Sequence, residues 1–253
     1  MRCAKPLLII IALVCAIATD CDGQSSGSAL STVEKAIGEH DYPKAEKILK
    51  ARLNELYATK QYDSLPKYVE YVGKVAEQKS METATAAVKA FVDKIASFKP
   101  SSNTLRVAYY EAGYYFGTID RNQFAYSYMM EARRLAEQAR NQQDIIGKME
   151  SDMGTYAQRM GDINLSKTHH QRALAIYESM PEPNHESLYV CYNNIGSMMY
   201  YSSKVDSALY YFSLALKTLE KTERNIDNKY YRVAVVQNNL SGLYGLQGRT
   251  TES

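Results

Sequence analysis

Helical periodicity of the apolar residues starts near Leu30. The stretch LSTVEKAIGEHDYPKAEKILKARLNELY reads as a short helix, a turn at Glu39–Tyr42 and a longer helix. Ala45, Ile48, Leu49, Leu53 and Leu56 form the buried stripe of that second helix, and Pro43 sits in its first turn, where a missing N–H costs nothing. Ser64 is placed to cap the next helix, with Pro66 in the first turn and Tyr68, Val69 and Val72 facing inward. Ala84 to Phe98 predicts a further helix, ended by Lys99-Pro100-Ser101-Ser102. From Leu105 the spacing becomes regular. Helix pairs are expected at about 105–140, 143–180 and 186–223, with half a pair over 229–253. Their turns fall at Thr118–Arg121, Gly161-Asp162, Ser202–Lys204 and Gly248-Arg249, and Met180-Pro181-Glu182-Pro183-Asn184 separates two pairs.

The stretch from Tyr192 to Leu216, YNNIGSMMYYSSKVDSALYYFSLAL, carries the clearest signature. Ile195-Gly196 is followed by Ala208, Phe212 and Ala215. The same offsets hold for Met153-Gly154 with Ser166, His170 and Ala173, and for Ala112-Gly113 with Ala125, Met129 and Ala132. Downstream, Leu240-Ser241 keeps the register, with Tyr244 and Gly248 where an aromatic and a turn glycine fit. Ala208 and Ala215 share one helical face with Phe212 between them, so small residues let a partner helix approach while a large one fills the space beside it. One such pair cannot bury its apolar face alone, and stability must come from stacked neighbours.

These residues resemble the tetratricopeptide repeat (TPR). The glycine position advances from 113 to 154, 196 and 241, steps longer than the basic period of about 34 and similar to the long-repeat subclass of kinesin light chain. The resemblance implies an all-α solenoid of stacked antiparallel helix pairs winding into a right-handed superhelix. Residues 30–104 are then degenerate repeats or an N-terminal helical cap, and 105–253 the array proper.

In the TPR family, the residues three and two before the glycine position and one after it line a concave groove on the first helix of each pair. Carried onto this chain, the resemblance assigns Tyr110, Glu111 and Tyr114, then Ser151, Asp152 and Thr155, then Asn193, Asn194 and Ser197, then Asn238, Asn239 and Gly242. Tyr200, Arg159 and Gln158 lie a turn further on. The candidate peptide-binding groove is therefore Tyr110, Tyr114, Thr155, Arg159, Asn193, Ser197, Tyr200 and Asn238. The paired asparagines are similar to those of kinesin light chain, where amides hold an extended peptide backbone. An amide offers donors and acceptors at once, so it matches a peptide unit without reading its sequence. The other role open to these asparagines is to bridge adjacent helices. Repeats that clamp a C-terminal carboxylate use Lys and Arg in the groove; here Arg159 alone stands in such a place, which disfavours that ligand.

Composition narrows the partner. The chain has 22 Tyr, 5 Phe and no Trp, a balance suited to a solenoid in which most side chains lie near a surface and a phenol tip stays wet. Arg2 and Lys5, the apolar run Leu7 to Ala18 and Ala16-Ile17-Ala18 fit a signal peptide over 1–18. The run is shorter than the ~20 residues of a spanning helix. An uncleaved anchor is the alternative, and Asp20 stands where a lipobox wants a small residue, against lipidation of Cys21. Without Arg2 and Lys5 the 30 basic residues fall to 28 against 28 acidic, so the mature chain lacks the basic footprint of a nucleic-acid binder. Residues 19–29 read as a polar lead-in without fixed structure.

No metal or cofactor is expected. His169 and His170 are adjacent and diverge by about 100° on a helix, unlike a chelating i, i+4 pair, and His40 and His185 fall in turns. His170 occupies the Phe212-equivalent place, which makes it a packing residue. Gly23-Gln24-Ser25-Ser26-Gly27 matches GxSxG as a string but lacks the strand–turn–helix setting of a nucleophile elbow. Cys191 reads as a buried thiol without motif context.

The expected function is non-catalytic binding of a protein or peptide in the groove, by an exported chain that is periplasmic or membrane-associated. Tyr-rich exported repeats of this long type resemble the N-terminal regions of Bacteroidetes sensor histidine kinases and membrane-bound regulators. The array would then be the sensory region of a longer protein, since Ser253 falls where a second helix should open and any membrane tether would follow it. Two alternatives remain at this stage: the repeat region of an enzyme whose catalytic domain, such as a caspase-like protease, lies beyond residue 253, and a stand-alone exported assembly scaffold.

Overall fold

The computed structural model describes residues 26–139, 142–182, 184–221 and 226–246. The signal peptide expected over 1–18, the turn expected at Gly248-Arg249 and the chain end at Ser253 lie outside the described residues. Eleven α-helices and no strand occur among them. They are α1 (Ser26–Gly38), α2 (Tyr42–Ala58), α3 (Val69–Glu77), α4 (Met81–Ser97), α5 (Ser102–Thr118), α6 (Asn122–Glu137), α7 (Gln143–Arg159), α8 (Ile163–Glu178), α9 (His185–Tyr201), α10 (Val205–Glu220) and α11 (Ile226–Leu246). Each helix packs on the next, in the pairs α1/α2, α3/α4, α5/α6, α7/α8 and α9/α10, with α11 against α10 and α9. Among the described residues no helix is long and apolar enough to cross a membrane.

Local chemistry sets the helix ends. Asp41, Ser80, Ser101, Asp162 and Asn184 each accept a hydrogen bond from the backbone N–H three residues on, satisfying a donor the helix leaves open. Asp120, Gly161 and Ser203 turn the chain between the two helices of three successive pairs with positive φ, and His40 does so between α1 and α2. Only Gly161 takes that conformation without a Cβ penalty.

Several segments differ from expectation. The helix near Leu30 begins earlier, at Ser26, as do α4 at Met81 and α5 at Ser102, where Ser80 and Ser101 supply the caps. Ser64 does not cap an α-helix: Tyr62–Tyr68 is a 3-10 segment that runs directly into α3. Leu65, Pro66, Tyr68 and Val69 are all buried.

The repeat signature has a direct packing cause. Gly196 lies under the Phe212 ring, Gly154 under the His170 ring, and Gly113 against Met129 and the backbone of Ala125. Each glycine is where the first helix of a pair meets the second. A second set of contacts joins neighbouring pairs: Tyr115 sits on Gly73 and Tyr156 on Gly117. The core is accordingly a chain of clusters strung along the stack, one from Val33 to Tyr156, one around Ala173, Tyr177 and Cys191, and one from Tyr189 to Leu243.

Candidate peptide-binding groove

The residues assigned to the groove stand in register on α5, α7, α9 and α11. Tyr110, Tyr114, Thr155, Asn193, Ser197 and Tyr200 are half-buried, and Asn238 and Arg159 are exposed. The rank one past the glycine position is Tyr114, Thr155 and Ser197. Thr155 donates its hydroxyl to the Ser151 carbonyl at 3.2 Å and Ser197 to the Asn193 carbonyl at 3.0 Å. With their protons so used, both hydroxyl oxygens remain acceptors.

The paired asparagines divide their labour. Asn194 donates to Ser151 Oγ at 3.3 Å, and Asn239 donates to Asn193 Oδ1 at 3.3 Å. In both cases the residue two before the glycine position reaches back to the residue three before it in the preceding pair. Asp152 stands in the same relation to Tyr110, whose nearby hydroxyl favours the carboxylate without closing a hydrogen bond. This ladder bridges helices, the second role open to these amides from the sequence. Asn238, by contrast, projects from the exposed side of α11. Arg159 is also tied to the frame: its Nη1 donates to the Gly117 carbonyl at 2.9 Å and lies 3.6 Å from Asp120 Oδ1, so it fastens α7 to the end of α5.

The N-terminal half of the rank is acidic and tyrosine-lined. Burial, reinforced by Glu70 and opposed by Lys148, pushes the Glu111 carboxyl up to about 7. Burial pushes Asp152 up to about 6, with Lys148 and the Tyr110 hydroxyl opposing. The Lys148 ammonium lies 5.1 Å from the centre of the Tyr110 ring. Burial raises the Tyr114 phenol, and Glu70, Asp152 and Glu111 add to the rise. Toward the C-terminal half the lining turns neutral, with Ser197, Tyr200 and Asn238.

Sequence reasoning missed a polar network behind this surface. Glu150, 2% exposed, receives Arg133 on Oε1 and His169 Nδ1 on Oε2 at 2.6 Å, while His169 Nε2 lies 2.9 Å from the Tyr126 hydroxyl. The network joins α6, α7 and α8. It has the outline of a proton relay, but burial and the Glu150 charge raise the Tyr126 phenol, the reverse of an activated nucleophile. The available signal was Glu150 on the inward face of α7, beside Met149 and Met153. Cys191 is fully buried, and burial pushes its thiol up to about 12, so it stays protonated.

Comparison with known proteins fits this geometry. The tetratricopeptide repeat family matches residues 145–221, which span α7 to α10. Among solved structures the chain is similar to BtubC (BKLC) from P. vanneervenii, at 15% identity with a TM-score of 0.65, covering 89% of this chain and 84% of that one. That likeness shows the fold alone. No curated protein matches the chain in sequence. The fold is an all-α solenoid of the tetratricopeptide type.

Proposed function

We propose that the chain is a non-catalytic binding scaffold whose groove holds an extended segment of a protein partner. The observation that carries this reading is the register of hydroxyl, amide and phenol groups on α5, α7, α9 and α11, of which those on α7 and α9 lie within the residues that match the repeat family. Mixed donors and acceptors suit a peptide backbone, and the tyrosines suit apolar side chains with a polar edge. The basic n-region and apolar run before Ala18 support action outside the cytoplasm. The resemblance to repeat-bearing sensors supports a sensory role within a longer signalling protein.

The test is a selection of displayed peptides on the purified chain, followed by titration of the best binder. Tyr200→Ala combined with Asn238→Ala should weaken it at least tenfold, about 1.4 kcal/mol or more, with the helical signal retained at the titration temperature although Tyr200 packs against the core of α9 to α11. Neither residue serves the bridging ladder, so lost affinity would report the groove itself. Equal affinity in the double variant moves the function off this face.

A further inference from the structure

His170 is a buried imidazole without a polar partner. It is 0% exposed, and neither ring nitrogen has a hydrogen-bond partner. Its ring rests on α7 at Gly154: a Cβ there would lie 2.6 Å from the imidazole Cε1. The same place holds Phe212 over Gly196 in the next pair and Met129 over Gly113 in the preceding one. An imidazole thus occupies an apolar slot in the middle of the stack.

We propose that His170 is an acid-operated latch, whose protonation forces α8 off α7 and opens that repeat pair from behind. A charged ring in this slot would be desolvated, without a carboxylate or carbonyl to receive its protons. The charge whose field reaches it is that of His169 on the same helix, and it repels. The α7 carboxylate at this interface, Glu150, is committed to His169 and Arg133. From α6 the network brings only Tyr126 and Arg133. The facing helix α9 has no Asp, Glu, Lys or Arg between Ser187 and Tyr201. The ring can reach water only by leaving the slot, and leaving separates the two helices.

The direction with pH follows from proton counting. Burial, with His169 adding to it, drives the His170 imidazole down from its ordinary value to about 4. Between about 6.5 and 4 the opened pair binds one more proton than the closed pair, so the opening constant rises about tenfold for each unit the pH falls. Above that window the term is flat. Because α7 carries Ser151, Asp152 and Thr155, opening would also dismantle the middle of the groove. That consequence rests on the function proposed above; the opening itself does not.

Hydrogen exchange on the full chain, without any ligand, tests the latch. Opening constants for the amides of α7 and α8 are measured from pH 7.5 to 4.5 in the wild type and in His170→Phe, which installs the residue of the next pair. The wild-type to variant ratio should be constant above pH 6.5 and grow about a hundredfold by pH 4.5. A ratio that stays constant over the whole range overturns the proposal. So does a rise spread evenly from α2 to α10. If His170→Phe does not fold, His170→Met supplies the same comparison with the residue of the preceding pair. In the wild type, the His170 ring resonances should keep the neutral form to pH 5, and their titration near 6.5 would also overturn it.

Discussion

At the residue scale, Glu150 shows how one buried charge is kept. Burial alone would raise its carboxyl, but hydrogen bonds from His169 and Arg133 and their charges outweigh burial and hold it below the ordinary carboxylate range. A depressed folded value means that its stabilisation is present above the unfolded value of about 4.3 and is lost as pH falls through the lower folded value. Glu150→Gln removes the charge and leaves Arg133 and His169 facing an amide. It should lower stability at pH 7 by roughly 3 kcal/mol, read by urea denaturation. The gap to the wild type should narrow only as pH falls through that lowered folded value, where the Glu150 side chain also becomes neutral. A gap that does not change with pH would mean that Glu150 acts by packing alone.

At the element scale, the helix pair depends on contact distance. A methyl at Gly196 would lie 2.8 Å from two carbons of the Phe212 ring, closer than real contacts allow, so the ring or α10 must shift. Gly196→Ala raises intrinsic helix propensity by about 1 kcal/mol, yet overpacking costs about 1–3 kcal/mol. The expected outcome is net destabilisation, measured as a lower melting temperature with the helical signal retained at 20 °C. A higher melting temperature would show that the glycine is not required for approach. The offsets from Gly196 to Ala208, Phe212 and Ala215 made this contact legible in the sequence, because both partners lie in one short supersecondary unit. The 3-10 segment before α3 was not legible, since Tyr62–Tyr68 offers Ser and Pro at plausible cap and first-turn positions, and buried residues at i, i+1, i+3 and i+4 fit either helix type.

At the scale of the whole molecule, the stack is held by bonds about one repeat long. Tyr126 and His169 are 43 residues apart, Arg159 and Gly117 42, Asn194 and Ser151 43, and Asn239 and Asn193 46. Arg121 reaches Glu82 across 39 residues, and Arg232 reaches Glu186 across 46. Such links, with Tyr156 seated on Gly117, make neighbouring pairs unfold together. A methyl at Gly117 would lie 2.4 Å from Tyr156 Cε1, wedging α5 from α7. Gly117→Ala should therefore weaken coupling between pairs more than either pair itself. Denaturant unfolding should broaden or split, with a lower apparent m-value, whereas Gly196→Ala should shift the midpoint with m unchanged. An unbroadened transition in Gly117→Ala would place cooperativity elsewhere.

The sequence alone determined the class of fold and the period of the stack. Both follow from small and large residues at fixed offsets within a helix pair, and such offsets survive in one dimension. The family resemblance, carried along the same offsets, put the candidate groove residues in one register. The tertiary structure decided what those residues do. Asn194 and Asn239 turned out to bridge pairs, and Arg159 to fasten α7 to α5, because their partners lie 42 to 46 residues away and meet only once the pairs are stacked. It likewise decided that Glu150 is satisfied while His170, on the same pair of helices, is not. Periodicity records which face of a helix is inward; it does not record whether a polar group on that face finds a partner there.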